Sequence, residues 1–154
     1  MPIAMINQYV VFVLDEQRYA LHLSVVDRVV HAVHITALPQ APDIVLGVIS
    51  MQGRIVPVIN VRRRFRHLER AIALTDQLIF ARTARRVVAL LVDRVINIVE
   101  CAEQDLIVAR NMAPAIDYVE GVIRLKDGLI LVHDLDAFLS LEEEASVDRA
   151  MGAA

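Results

Sequence analysis

The chain has 154 residues, a formal net charge of −3, 56% hydrophobic residues and one cysteine, Cys101. The acidic balance argues against general nucleic-acid binding, and a lone cysteine excludes a disulfide framework and makes a reducing cytosol the default. Mean hydropathy is high at +0.51, yet no run of about 18 apolar residues lacks a charge or a proline, so no membrane-spanning helix is expected.

Met1–Leu14 is apolar but has no basic leader region or small-residue cleavage site, so it does not read as a signal peptide. Tyr9–Leu14 and Arg18–Leu23 are β-rich runs around Asp15-Glu16-Gln17, which predicts a hairpin. Ser24 is a candidate N-cap for a short helix over Val25–Val30, with Asp27 at the third position; the paired valines would also suit a strand. Ala32–Leu38 reads as extended, and Pro39 and Pro42 mark a loop. The stretch from Gly47 to Val61 holds two apolar runs around Gln52-Gly53, a second hairpin. Pro57 cannot donate to a ladder, so its strand should lie at an edge or a bulge there.

Glu69–Thr75 reads as a connection between halves. Strands follow over Gln77–Ala81, Arg86–Val92 and Val95–Cys101, then an irregular stretch from Ala102 to Pro114. Tyr118–Lys126 and Leu129–His133 form a third hairpin around Asp127-Gly128. A short C-terminal helix is expected over about 135–141, with Asp134 as its cap, and 142–154 reads as a flexible tail. Short, evenly spaced strands with little helix indicate a mainly β protein of barrels or sandwiches.

The chain also echoes itself. Gly47 and Asn60 are matched by Gly121 and Asp134 at the same spacing. Val26-Asp27-Arg28-Val29-Val30 is matched by Val92-Asp93-Arg94-Val95-Ile96, and two upstream strand pairs follow in the same order. The shared order predicts an internal duplication and favours two similar small barrels over one sandwich.

Candidate chemistry is sparse. His22, His31, His34, His67 and His133 are scattered without metal-ligand spacing. No nucleophile elbow or glycine-rich phosphate loop occurs, so no catalytic residue, metal or cofactor is expected. Arg62-Arg63-Arg64-Phe65-Arg66-His67 is the single basic patch. It could stack and neutralise a nucleic acid, but a solvated turn with Phe65 returning to the core is the simpler reading.

The central stretch resembles the CheW-like coupling proteins of bacterial chemotaxis and the related regulatory domain of the CheA kinase. Their motif, Asn-Leu-Arg-Gly-x-Ile-x-Pro-(Val/Ile)-x-Asp-Leu-Arg, is met by Ser50-Met51-Gln52-Gly53-Arg54-Ile55-Val56-Pro57-Val58-Ile59-Asn60-Val61-Arg62. Tyr19–Val26 and Arg86–Val95 resemble two further family segments, and the likeness runs from Gln8 to about Leu141. The resemblance implies one domain over 8–141 built of two small SH3-like five-stranded β-barrel lobes, about 9–68 and about 76–134, and a non-enzymatic cytoplasmic adaptor working at membrane-associated receptor arrays. Its implied partners are the regulatory domain of a CheA-type histidine kinase and the cytoplasmic tip of a chemoreceptor, with neither nucleic acid nor direct membrane insertion. It also implies a receptor-binding groove carrying Val26, Arg28, Val92 and Val99. Gly47, Gly53, Pro57, Arg62, Gly121 and Gly128 keep the pattern. The chain departs from it at Gln52, where the family has arginine, at Arg28, where it has an acid, and at Asn60, where it has aspartate. Such departures are expected to change the choice of partner more than the fold, and a coupling protein of a divergent signalling system fits equally.

Overall fold

A computed structural model describes residues 5–32, 34–108 and 118–152. The strands are β1 (Ile6–Leu14), β2 (Gln17–His22), β3 (Val26–His31), β4 (Val45–Met51), β5 (Arg54–Ile59), β6 (Gln77–Arg82), β7 (Val87–Val92), β8 (Arg94–Ala102), β9 (Ile107–Val108), β10 (Val119–Leu125) and β11 (Gly128–His133). Two helices complete them, α1 (Val61–Arg64) and α2 (Leu141–Gly152). The protein is mainly β, as expected. Part of the irregular stretch read over Ala102–Pro114 lies outside the described residues.

One sheet has the order β8-β1-β2-β11-β10-β9 and the other β3-β6-β7-β5-β4. The second order repeats the first, strand for strand, once β9 is set aside. Each sheet is joined by one parallel pairing, β2 with β11 and β5 with β7. Gly47 and Gly121 both follow a bulge, at equivalent places in β4 and β10. The duplication is therefore real, but the lobes are not the contiguous halves 9–68 and 76–134. Each sheet combines the leading hairpin of one half with three strands of the other, so the halves are interlocked.

Strand alternation distributes the core into three parts. Phe12, Leu14, Tyr19 and Leu21 of one sheet and Ile79, Ala81, Val88 and Leu90 of the other share a cluster between the sheets. Tyr9, Val11 and Ile130 fill the inside of the first sheet, and Val56, Leu78 and Phe80 fill the inside of the second.

Local chemistry accounts for the details. The Met51–Arg54 hairpin turns through Gln52 and Gly53, both with positive φ (52° and 79°), which is the two-residue turn that suits twisted strands. β5 is an interior strand, yet Pro57 is tolerated. Val48, opposite Pro57, exchanges its backbone bonds with Thr36, so no ladder bond to Pro57 is lost. On the other side β7 begins pairing only at Val58. The helix expected over Val25–Val30 is absent. A 3-10 turn at Leu23–Val25, with no side-chain cap, leads into β3, because β-branched valines favour the sheet.

The C-terminal expectation also needs correction. Leu135–Ala137 is one 3-10 turn without a side-chain cap from Asp134. The helix lies further on, in the segment read as a tail. Val147 of α2 is fully buried in the inter-sheet cluster, and Arg86 bonds Glu144 and Asp148. A docked helix satisfies both contacts at once.

The glycines differ in what they tolerate. A Cβ at Gly53 would meet nothing within 4 Å, whereas one at Gly47 would sit 2.3 Å from the Thr36 carbonyl oxygen. Gly53→Ala is expected to lose about 1 kcal/mol, for its left-handed backbone. Gly47→Ala should lose about 2–3 kcal/mol, because the clash is with backbone that cannot yield cheaply. Urea unfolding of the two variants checks the order; equal midpoints would contradict it.

Candidate functional site

β3 and β8 are each an edge strand of their own sheet, at equivalent places in the two orders, and both turn an apolar face to the core between the sheets. Val26 and Val29 of β3 and Val95 of β8 are half-buried and pack against that same cluster. Ile98 pairs with Val10, on the β1 face that carries Phe12 and Leu14, and is 54% exposed. Val26, Val29, Val95 and Ile98 thus form an apolar seam between the sheets.

The four residues expected in one groove are not brought together. Val26 lies in the seam. Val92 is 1% exposed and belongs to the inter-sheet core, so it cannot wall an open groove. Val99 packs inside the first sheet. Arg28 pairs with Phe80, whose side chain fills the inside of the second sheet, so it faces away from Val26. The bulge between Val26 and Arg28 produces this split. Val29, Val95 and Ile98 were missed by sequence reasoning; alternation from Val26 with the bulges placed would have found them.

Arg28 instead shares a depression with Gln52. It measures about 510 Å³ at the hairpin end of the second sheet and is lined also by Asp27, Met51, Arg54, Val56, Phe80 and Val87. The Arg28 guanidinium lies 3.7 Å from the Met51 sulfur. Two of the three departures from the family pattern, Arg28 and Gln52, therefore share one surface.

The basic patch is an internal network. Arg62 is 9% exposed. Its fork donates to both Asp15 oxygens at 2.8 Å, to both Asp93 oxygens at 2.7 and 2.9 Å, and to the Leu68 carbonyl. Arg70 joins Asp93 to Asp76. The Arg62 guanidinium beside it holds the Asp15 carboxyl below the usual carboxylate range. His67 bridges Asp15 and the Tyr19 hydroxyl, and burial pushes that phenol up to about 12. Arg64 pairs with Glu143 and lies over the Tyr118 ring. Phe65 returns to the core and stacks on Tyr19 at 4.4 Å. Arg62, Arg64 and Phe65 are thus committed within the fold, and Arg63 and Arg66 are the arginines of the run that stay exposed.

Asn60 also has a structural account. Its side-chain oxygen accepts from the Arg63 backbone N–H and caps α1, while its amide nitrogen donates to Glu69 at 2.6 Å. Aspartate could cap the helix but would oppose the Glu69 carboxylate.

Among the described residues no helix is long and apolar enough to cross a membrane. The family model for the CheW-like domain matches residues 8–144. The chain is 29% identical over 132 residues to the chemotaxis protein CheW of Thermotoga maritima, covering 83% of this chain and 84% of that one. It is 26% identical over 144 residues to the chemotaxis protein CheW of Klebsiella aerogenes, covering 92% and 87%. The crystal structure of the scaffolding protein TtCheW from Thermoanaerobacter tengcongensis superposes with a TM-score of 0.81 at 27% identity, over 90% of this chain and 96% of that chain. A duplicated two-sheet fold with an exposed apolar seam, matched by sequence and by structure along nearly its whole length, belongs to the CheW-like domain family.

Proposed function

We propose that this chain is a non-enzymatic adaptor of chemotaxis-type signalling, acting in the cytoplasm to hold the tip of a chemoreceptor to the regulatory domain of a CheA-type histidine kinase. The observation that carries this reading is the near full-length match to a scaffolding protein. The apolar seam is the candidate receptor seat. A helical tip laid along it would bury an apolar stripe against Val26, Val29, Val95 and Ile98, gaining roughly 25 cal/mol per Å² of apolar area before the costs of association.

Val26→Glu tests the seat. A carboxylate there would lose hydration on docking without finding a partner, so receptor binding should weaken at least tenfold, about 1.4 kcal/mol, while the circular dichroism spectrum is unchanged. Co-sedimentation with receptor-bearing membranes from the source cell gives the measurement. A folded variant that binds like the native protein overturns the seat. Failure of the native protein to bind both receptor and kinase overturns the adaptor reading.

A further inference from the structure

The depression at the hairpin end of the second sheet is built differently from its counterpart. Its floor is apolar, from Met51, Val56, Phe80 and Val87, and its rim carries Arg28 and Arg54. Neither arginine forms an ion pair among the described residues, and the one acid in the lining, Asp27, is bonded to Arg82 at 2.7 Å. Two guanidiniums therefore stand without an ion-pair partner among the described residues beside a depression lined in part by apolar side chains, on a protein whose net charge is −3.

The duplication provides an internal comparison. Matched through the parallel pairings and hairpin registers, Val87 corresponds to Arg18, and Gly53 to Asp127. In the first sheet that corner is closed by a two-bond Arg18–Asp127 ion pair. In the second sheet valine and glycine stand there, so the corner is open, and no acid among the described residues pairs with Arg28 or Arg54.

We infer that this depression is a second docking surface, distinct from the apolar seam, that takes an acidic and partly apolar segment of a partner protein. Leucine-like side chains would cover the floor, and carboxylates would meet the guanidiniums in charge-assisted bonds. Because the protein as a whole repels anions, attraction is local to this rim, sets specificity and weakens with salt. Gln52, in the same lining, adds no third cation. The inference deepens the adaptor reading by giving the chemistry of one partner contact.

The test is a titration of isotope-labelled full-length protein with two capped hexapeptides, Gly-Leu-Glu-Leu-Glu-Gly and Gly-Leu-Lys-Leu-Lys-Gly, followed by amide chemical shifts. The glutamate peptide should shift Met51–Arg54 and Val87 in a saturable way and bind at least tenfold tighter than the lysine peptide. Arg28→Gln with Arg54→Gln should weaken it at least tenfold without moving shifts in the first sheet. Equal binding of both peptides, no shifts at the depression, or undiminished binding by the double variant overturns the inference. A short oligothymidine that binds there more tightly than the glutamate peptide also overturns it, in favour of nucleic acid. If the peptides fail while receptor and kinase still bind, the adaptor reading stands and this inference alone falls.

Discussion

Arg62→Met is expected to lose about 3 kcal/mol of folding stability, the low end of what breaking a buried ion pair costs. Arg62 is almost wholly enclosed, and its fork spans Asp15, at the turn between β1 and β2, and Asp93, between β7 and β8. The first is a hairpin turn of one sheet and the second is the crossover from β7 of the other sheet to β8, so one guanidinium fastens the two sheets together. Removing it leaves Asp93 with Arg70 and leaves Asp15 to solvent and His67; that remaining hydration keeps the loss from being larger. Arg62→Lys should fall between native and Met, because an ammonium keeps the charge but cannot form two parallel pairs. Urea unfolding at neutral pH measures all three. A Met variant within 1 kcal/mol of native would show that the network contributes geometry rather than stability.

The same network shows where sequence reading reaches its limit. Its arginine was legible as part of a motif, but its role was not, because the acids it holds lie far away in the chain. The hairpins were legible, since a turn and two alternating runs are local information. The exchange of hairpins between the halves was not, because it is decided by parallel pairings, β2 with β11 and β5 with β7, that carry no short-range signature. α2 was invisible for another reason. It opens on three successive glutamates and has few apolar positions, and its docking rests on Val147 and on Arg86, just ahead of β7, bonding Glu144. The seam was half legible. Val26 was found, but a single-residue change of phase turns a strand's side chains to the opposite face. The bulges in β3 and β8 shift that phase, which sends Arg28 and Val99 elsewhere.

His133 gives the protein an acid-sensitive core. It ends β11, is 1% exposed, lies 3.8 Å between ring centroids from Phe138 and 5.0 Å from Phe65, and neither ring nitrogen has a hydrogen-bond partner. Burial pushes its pKa down to about 3, so the folded ring stays neutral where the unfolded one, near 6.5, takes a proton. The unfolded state binds more protons between those values. Stability is therefore whole above about pH 6.5 and is lost as pH falls, at up to about 1.4 kcal/mol per pH unit. By pH 5 the loss from this residue is about 2 kcal/mol, before carboxylates held low by arginines, such as Asp15 and Asp76, begin to protonate. His22 acts with the opposite sign: its bond to Glu120 raises its pKa, so its contribution is present at low pH and fades as pH rises through the folded value. It cannot produce the acid loss. His133→Leu removes the titrating group and two unpartnered buried nitrogens, so it should be at least as stable as native at pH 7.5 and should flatten the decline between pH 6.5 and 5. Unfolding midpoints across that range, native against His133→Leu, give the answer: parallel curves would mean that His133 is protonated in the fold and that its cage admits a charge.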